Sequence, residues 1–252
     1  MKTKGLNNFQ LKILMAFLMV FDHLYIIPGL LSDEWISIFH ALTRCVAVWF
    51  AFAAVEGFIY TRNRLNYVSR LFIWSIIMFV GNTIFDWFFQ SKEIHIGNNI
   101  FLTLACGVLM LILFYGVSND KTRFYAQYKL PRLILGIVLC VMATLWTEGG
   151  SIIIPFMWIT YACREKKLLR NFLYCTLSLI LFCLSIQIYQ TWNETLMMMF
   201  YNSDWLFITV LPFITLYNGK RGLATRWSKY FFYVFYPAHL WLLACIGYFI
   251  QK

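Results

Sequence analysis

Charged residues are scarce in this sequence of 252 residues. Asp, Glu, Lys and Arg make up 13% of the chain, against about 25% in a typical soluble domain. Hydrophobic residues reach 61% and aromatic residues 20%. No polar stretch is long enough to fold alone, which argues against a separate soluble domain. The composition predicts a multi-pass membrane protein with one transmembrane domain over residues 1–252.

Signals for metal binding and for disulfides are also missing. The chain has seven Cys and four His, but no CxxC pair, and no His lies four residues from another metal ligand. The cysteines all fall in apolar segments and are interpreted as small packing residues. We therefore expect no metal cofactor. No small-residue cleavage site follows the first apolar segment, so we expect that segment to be retained.

Long apolar runs are abundant and predict an all-α bundle of about nine membrane spans. Basic residues sort by side when the N-terminus is placed in the cytoplasm: all but three of the 21 Lys and Arg then lie inside, as the positive-inside rule requires. The net charge of +10 does not indicate nucleic-acid binding, because the basic residues occupy short loops between spans. The predicted spans cover residues 9–31, 35–59, 71–89, 98–117, 132–147, 150–163, 171–190, 205–217 and 230–250. Before the eighth, Leu196–Tyr201 is either an interfacial helix or the end of that span.

Six ionisable residues interrupt these apolar spans. A charge inside a bilayer costs about 2.5–3.5 kcal/mol on insertion scales, so each such residue is a candidate for function. Arg44 lies in the second span, Glu56 towards its inner end, and Glu148 at the outer end of the fifth. The others are Asp22 and His23 in the first span and His239 in the last.

Asp22 and His23 are adjacent, and neighbouring helical side chains point about 100° apart. Asp22 is therefore expected to reach a third partner, for which Arg44 is the expected ion pair. His23 and His239 can face one cavity if the first and last spans are neighbours. Pro237 removes a backbone hydrogen bond in the last span and is expected to open that helix locally.

Histidine can take and return a proton near neutral pH, and a carboxylate beside it fixes its tautomer. No Ser or Cys stands in a nucleophile-elbow motif, so an enzyme of this kind would use His23 as base or as transient acyl carrier. The alternative is a proton-coupled transporter or an immunity-type membrane protein, in which Asp22, His23 and Glu56 form a proton relay. His239 alone could also be a structural residue bonded to a neighbouring helix.

Two inner loops carry clustered basic residues suited to a phosphate-bearing ligand from the cytosol. Thr61–Arg70 holds Arg62 and Arg64. The sequence YNGKRG, Tyr217–Gly222, brackets Lys220 and Arg221 with two glycines and an asparagine. Topology alone also explains many such charges.

Five segments together resemble the TraX family, small membrane proteins associated with pilin N-acetylation in bacterial conjugation. They are LKILMAFLMVFDH (11–23), VEGFIYTRNRLNYVSRL (55–71), NNIFLTLACG (98–107), YNGKRG (217–222) and KYFFYVFYPAHL (229–240). Ten residues stand between Lys12 and His23, which distantly resembles the acyltransferase-3 pattern.

The resemblance implies an acetyltransferase of the bacterial cytoplasmic membrane. Acetyl-CoA would be the co-substrate, and the acceptor would be an amine or hydroxyl on an extracytoplasmic peptide, pilin or glycan. His23 would act with Asp22, His239 would be a second base or thioester binder, and Glu148 would meet an amine acceptor. Phosphates would bind Arg62, Arg64, Lys220 and Arg221. The positions that match family motifs are Asp22, His23, Glu56, Tyr217, Asn218, Gly219, Gly222, Tyr236, Pro237 and His239.

Overall fold

The computed structural model of the chain describes residues 5–92, 94–117 and 128–251. Within that range the regular secondary structure is helical, apart from one isolated bridge between Leu6 and Tyr217. The helices are α1 Asn8–Asp22, α2 Asp33–Thr43, α3 Cys45–Tyr60, α4 Arg64–Phe89, α5 Ile100–Tyr115, α6 Lys129–Trp146, α7 Gly150–Ala162, α8 Lys167–Ser185, α9 Trp192–Tyr201, α10 Val210–Leu216 and α11 Arg226–Ile250. Short 3₁₀ turns cover Leu24–Ile26, Gln90–Lys92 and Ser203–Thr209. The loop residues Lys2, Lys4, Glu93, Lys121, Arg123 and Lys252, which entered the predicted topology, lie outside the described residues.

Six helical segments of the described chain are long and apolar enough to cross a membrane, and a bent pair could supply a seventh. The protein is therefore a multi-pass membrane protein, but the predicted count of nine spans is not confirmed. The expected fourth and sixth spans are α5 and α7, with 16 and 13 residues. At 1.5 Å per residue these reach about 24 and 20 Å, short of a hydrocarbon core of about 30 Å. The expected eighth span, residues 205–217, corresponds to Ser203–Leu216, and α9 precedes it with a bend of 55° between the two.

The chain divides into two compact units, and neither is a continuous stretch. Unit 2 comprises Phe50–Phe79 and Asn98–Arg170. Within it α5 packs against α6 and α7. Glycines permit these close approaches: the space beside Gly136 of α6 is filled by Phe114, and that beside Gly107 of α5 by Met157. The outer surface of α6 is almost wholly apolar and exposed, as expected of a helix that faces lipid.

Unit 1 comprises Met1–Trp49, Val80–Gly97 and Asn171–Lys252. Here α1 packs against α2 and α11, and α2 also contacts α9 and the Ser203–Thr209 turn. Helix α1 begins with a capping box, in which the side chains of Asn7 and Gln10 each accept the other's backbone N–H at 3.0 Å. Its other end stops at Asp22, and His23 occupies the cap position. Unit 1 thus brings the end of α1, helix α2 and helix α11 together.

Candidate functional site

The first and last membrane helices bring two buried histidines into contact. His23 caps α1 and His239 lies on α11, and their side chains are 5% and 6% exposed. His239 Nε2 lies 3.2 Å from His23 Nδ1. The sequence allowed the two residues to face one cavity if the first and last spans are neighbours, and the structure brings them into contact although 216 positions separate them.

The other contacts of the two rings fix their tautomers. His23 Nδ1 is 2.8 Å from the carbonyl oxygen of Met19, and His239 Nδ1 is 3.0 Å from that of Phe235. A carbonyl can only accept, so both Nδ1 atoms carry the proton in the neutral rings. His23 Nδ1–H is then shared between Met19 O and His239 Nε2. His23 Nε2 keeps its lone pair, and within the described part of the chain it has no hydrogen-bond partner.

Aromatic rings enclose this pair. Phe235 stacks on His239 at 5.2 Å with an interplanar angle of 11°. Tyr236 lies 6.4 Å from the His23 ring and 5.6 Å from His239. Pro237 lies inside α11, and that helix continues through it from Arg226 to Ile250. The expected local opening is therefore not seen, and His239 instead lies beside the carbonyl of Phe235, one turn earlier.

Asp22 reaches partners other than His23, as its position on the helix predicts, and it does not orient the His23 ring. Its Oδ1 accepts from Thr43 Oγ1 at 2.5 Å and lies 3.4 Å from His40 Nδ1. The Met19 carbonyl and His239 orient His23 instead. The reason is the helical geometry, because the side chain at the last position of α1 points towards α2 while its neighbour points towards α11.

Arg44 also departs from expectation, because its ion pair is with Asp204, at 3.4 Å, and not with Asp22. Its Nε donates to Ser203 Oγ at 3.2 Å, and its Nη2 lies 2.9 Å from His40 Nδ1. A guanidinium can only donate, so this last contact places the proton of neutral His40 on Nε2. The side chain of His40 thus stands between the charges of Arg44 and Asp22.

His40, Thr43, Ser203 and Asp204 were not among the candidate residues identified from the sequence. One signal was available: His40 and Arg44 are four residues apart, so they share a face of one helical turn. The contact between Arg44 and Asp204 has no such local signal, because it depends on how α2 meets the Ser203–Thr209 turn.

The YNGKRG loop is attached to the start of α1 through its backbone. The carbonyls of Lys220 and Arg221 accept the Asn8 and Phe9 N–H groups at 2.9 and 3.2 Å. Asn218 donates to Gly5 O at 3.1 Å, and a side chain on Gly222 would collide with Asn7. Gly219 and Gly222 have φ of +75° and +78°, a region that favours glycine.

The contacts with α1 explain why the loop contains an Asn and two glycines, and this explanation does not require a bound ligand. The side chains of Lys220 and Arg221 remain exposed and available to an anion. The ring of Tyr217 packs edge-on against Trp49 at 5.9 Å.

Arg62 and Arg64 belong to unit 2 and differ from each other. Arg62 is exposed. Arg64 is 4% exposed, stacks on Phe58, and donates to the carbonyls of Phe58 and Gly116 at 3.2 and 3.0 Å. These contacts connect the α3–α4 turn to the end of α5. The guanidinium of Arg64 therefore has a structural role.

The two remaining acidic candidates also lie in unit 2. Glu56 is half-buried on α3. The carboxylate of Glu148 accepts from Asn98 Nδ2 at 2.9 Å and from the Asn99 backbone N–H at 2.5 Å. Thr103 donates to the Glu148 carbonyl at 2.7 Å. Both carboxylate oxygens are thus engaged at the start of α5, and a role towards an acceptor stays a prediction. No group of three or more His, Cys, Asp or Glu in the described ranges is placed to hold a metal ion.

Comparison with known proteins places these features in a family. The chain is similar to the "Probable fimbrial assembly protein FimC, serogroup H1" of Dichelobacter nodosus, with 25% identity over 266 residues that cover 97% of each chain. No solved structure matches the chain. The family model described as "TraX protein" matches residues 8–247. Since that match includes α1, α11 and the YNGKRG loop, and nearly all of the sequence, the chain belongs to the TraX family of membrane proteins.

Proposed function

We propose that this protein is a membrane-embedded acetyltransferase, which moves an acetyl group from cytosolic acetyl-CoA to an amine or hydroxyl of an extracytoplasmic acceptor. The observation that carries the proposal is the His23–His239 contact, which leaves one basic nitrogen, His23 Nε2, with its lone pair free. TraX membership and the fimbrial name of the relative support a pilin or another surface peptide as acceptor, with a glycan as the alternative.

In the proposed reaction, His23 Nε2 removes the proton from the acceptor's neutral amine or hydroxyl as its N or O attacks the thioester carbonyl carbon. The new C–N or C–O bond forms, the C–S bond breaks, and the CoA thiolate takes the proton back from the imidazolium. If His23 carries the acetyl group instead, Nε2 attacks the thioester carbonyl carbon and the C–S bond breaks to give the CoA thiolate. The acceptor then attacks the acyl-imidazole, the acetyl–Nε2 bond breaks, and the acceptor's proton passes to the thiolate. Both routes need the same free nitrogen.

His239 and Asp22 would support this step in different ways. When His23 is protonated, its Nδ1–H becomes a charge-assisted donor to His239 Nε2 and to Met19 O. His239 then performs the tautomer-holding task that a carboxylate performs in a catalytic triad. Asp22 would stabilise the imidazolium electrostatically. Its carboxylate is on the adjacent residue and does not form a hydrogen bond with the ring.

Acetyl-CoA would place its phosphates on the exposed side chains of Lys220 and Arg221. The phosphate-binding role of Arg62 and Arg64 stays a prediction from the sequence, and the Arg64 guanidinium already donates to two carbonyls. The YNGKRG loop contacts the first turn of α1, and the 15-residue helix leads to His23. That separation is about 22 Å along the helix, on the scale of an extended pantetheine arm. The topology proposed with this site has a cytoplasmic N-terminus and up to nine crossings in the inner membrane.

The test uses the full-length protein purified in detergent and reconstituted in lipid. Acetyl-CoA labelled in the acetyl group is added with either a peptide bearing a free N-terminus or an oligosaccharide. The proposal predicts saturable acetyl-CoA binding and transfer of label to at least one acceptor class. If the wild-type protein neither binds nor consumes acetyl-CoA but moves protons across the vesicle membrane, the proton-coupled alternative replaces the proposal.

A further inference from the structure

Helix α2 carries a histidine that lies close to two side chains of opposite charge. His40 Nδ1 lies 2.9 Å from Arg44 Nη2 and 3.4 Å from Asp22 Oδ1. In the described structure no nitrogen of Arg44 is in ion-pair contact with Asp22. One ring nitrogen of His40 is thus close to both the guanidinium and the carboxylate.

Each neighbour of His40 is held by its own contacts. Arg44 is fixed by Ser203 Oγ and Asp204, while Thr43 donates to Asp22 Oδ1 at 2.5 Å. Tyr25 packs on the His40 ring at 5.3 Å with an interplanar angle of 36°. The side chains of His40 and Asp22 are 23% and 24% exposed, so the charge of Asp22 is only partly screened by solvent.

The separation of Arg44 from Asp22 has an electrostatic consequence for His23. An Arg–carboxylate pair is frequently bidentate and uses both oxygens of the acid. Such a pair would neutralise Asp22, whose charge is adjacent to His23. With His40 interposed, Arg44 directs its charge to Asp204, and Asp22 keeps its negative charge beside the histidine.

We propose that His40 is a positioning residue that prevents Arg44 from forming an ion pair with Asp22, and so keeps the Asp22 charge available to His23. The predicted effect on rate rests on the proposed acetyltransferase function, but the separation of Arg44 from Asp22 by His40 can be measured independently. His40 would affect the reaction only indirectly, through Asp22 and His23.

The experiment compares His40→Ala, His40→Asn and the double variant His40→Ala/Arg44→Gln. Removal of the imidazole lets Arg44 reach Asp22, so His40→Ala should lower kcat by about 10- to 100-fold, as expected for losing one nearby charge in a partly buried site. The KM for acetyl-CoA should not change. Asn keeps a polar group near the position of Nδ1 and should retain most activity. Arg44→Gln in the His40→Ala background removes the cation and should restore part of the rate.

The melting temperature of His40→Ala distinguishes the proposed positioning role of His40 from a purely structural role. A structural histidine loses melting temperature when truncated, whereas here a new ion pair offsets the lost contacts, and the Tm of His40→Ala should stay level or rise. A double-mutant cycle on Tm between Arg44→Gln and Asp22→Asn should show strong coupling in the His40→Ala background and weak coupling with His40 present. This readout needs no enzymatic activity. The matched control is His95→Ala, because His95 pairs with Asp86 at 2.7 Å outside this cluster; its kcat should be that of the wild type.

The outcomes separate the two proposals. If the wild-type protein transfers no acetyl group, the proposed function fails, and the Tm cycle still decides whether His40 acts as a spacer. If transfer occurs but the double variant is slower than His40→Ala, or Arg44 and Asp22 couple equally in both backgrounds, the spacer role is overturned.

Discussion

Replacement of Glu148 by Ala should destabilise the protein without changing acceptor binding. The carboxylate accepts from Asn98 Nδ2 and from the backbone N–H of Asn99 at 2.9 and 2.5 Å. Hydrogen bonds to a charged group contribute about 1.5–3 kcal/mol each, and the half-buried position favours the lower end. The expected loss is about 3 kcal/mol. For a chain of this size it corresponds to a decrease in Tm of about 6–12 °C.

Thermal unfolding followed by tryptophan fluorescence in one detergent measures this loss. Glu148→Gln is the matched variant, because it keeps one acceptor oxygen and should lose about half as much. The KM for the acceptor, measured below the Tm of each variant, should stay at the wild-type value. A Glu148→Ala protein with unchanged Tm but a raised acceptor KM would refute this reasoning and restore the role that the sequence suggested.

Two further predictions concern topology and the cytosolic ligand. Reporter fusions should read cytoplasmic at Lys166 and external at Ser91; an external signal at Lys166 would contradict a cytoplasmic N-terminus with nine crossings. Reversal of both Lys220 and Arg221 to Glu should weaken acetyl-CoA binding by about tenfold or more per lost phosphate contact. The same reversal at Lys166 and Lys167 should have little effect, and equal losses from the two pairs would mean that these charges serve topology alone.

Much of the helical architecture could be predicted from the sequence, because apolar runs bounded by charged loops specify where membrane helices start and stop. The count of nine spans is not confirmed, because composition and length disagree at two helices. Helices α5 and α7 are apolar like membrane spans, but at 16 and 13 residues they are shorter than a full crossing needs. Leu196–Tyr201 lies within α9, for which Thr191 and Glu194 form a capping box. That signal was present in the sequence and favours a separate helix.

The contact between His23 and His239 could be predicted because both interrupt apolar helices at compatible depth. The roles of Asp22 and Arg44 could not. Their partners depend on how α1 and the Ser203–Thr209 turn meet α2, and that geometry leaves no local pattern in the chain. The YNGKRG loop shows the converse, since the contacts with α1 explain the Asn and the glycines of a motif that resembles a phosphate site.

The rate of acetyl transfer by His23→Ala tests the central claim most directly. General-base catalysis contributes about 10²–10⁴-fold, so the rate in single turnover should decrease by that factor, while acetyl-CoA binding and Tm stay near those of the wild type. Cys106→Ala, a buried truncation in α5, is the control and should keep the wild-type rate. His23→Asn keeps a donor near the position of Nδ1 but has no basic Nε2, so it should be equally slow even if the Ala variant does not fold. A wild-type rate in either folded His23 variant would contradict the account and leave His239 as the candidate base.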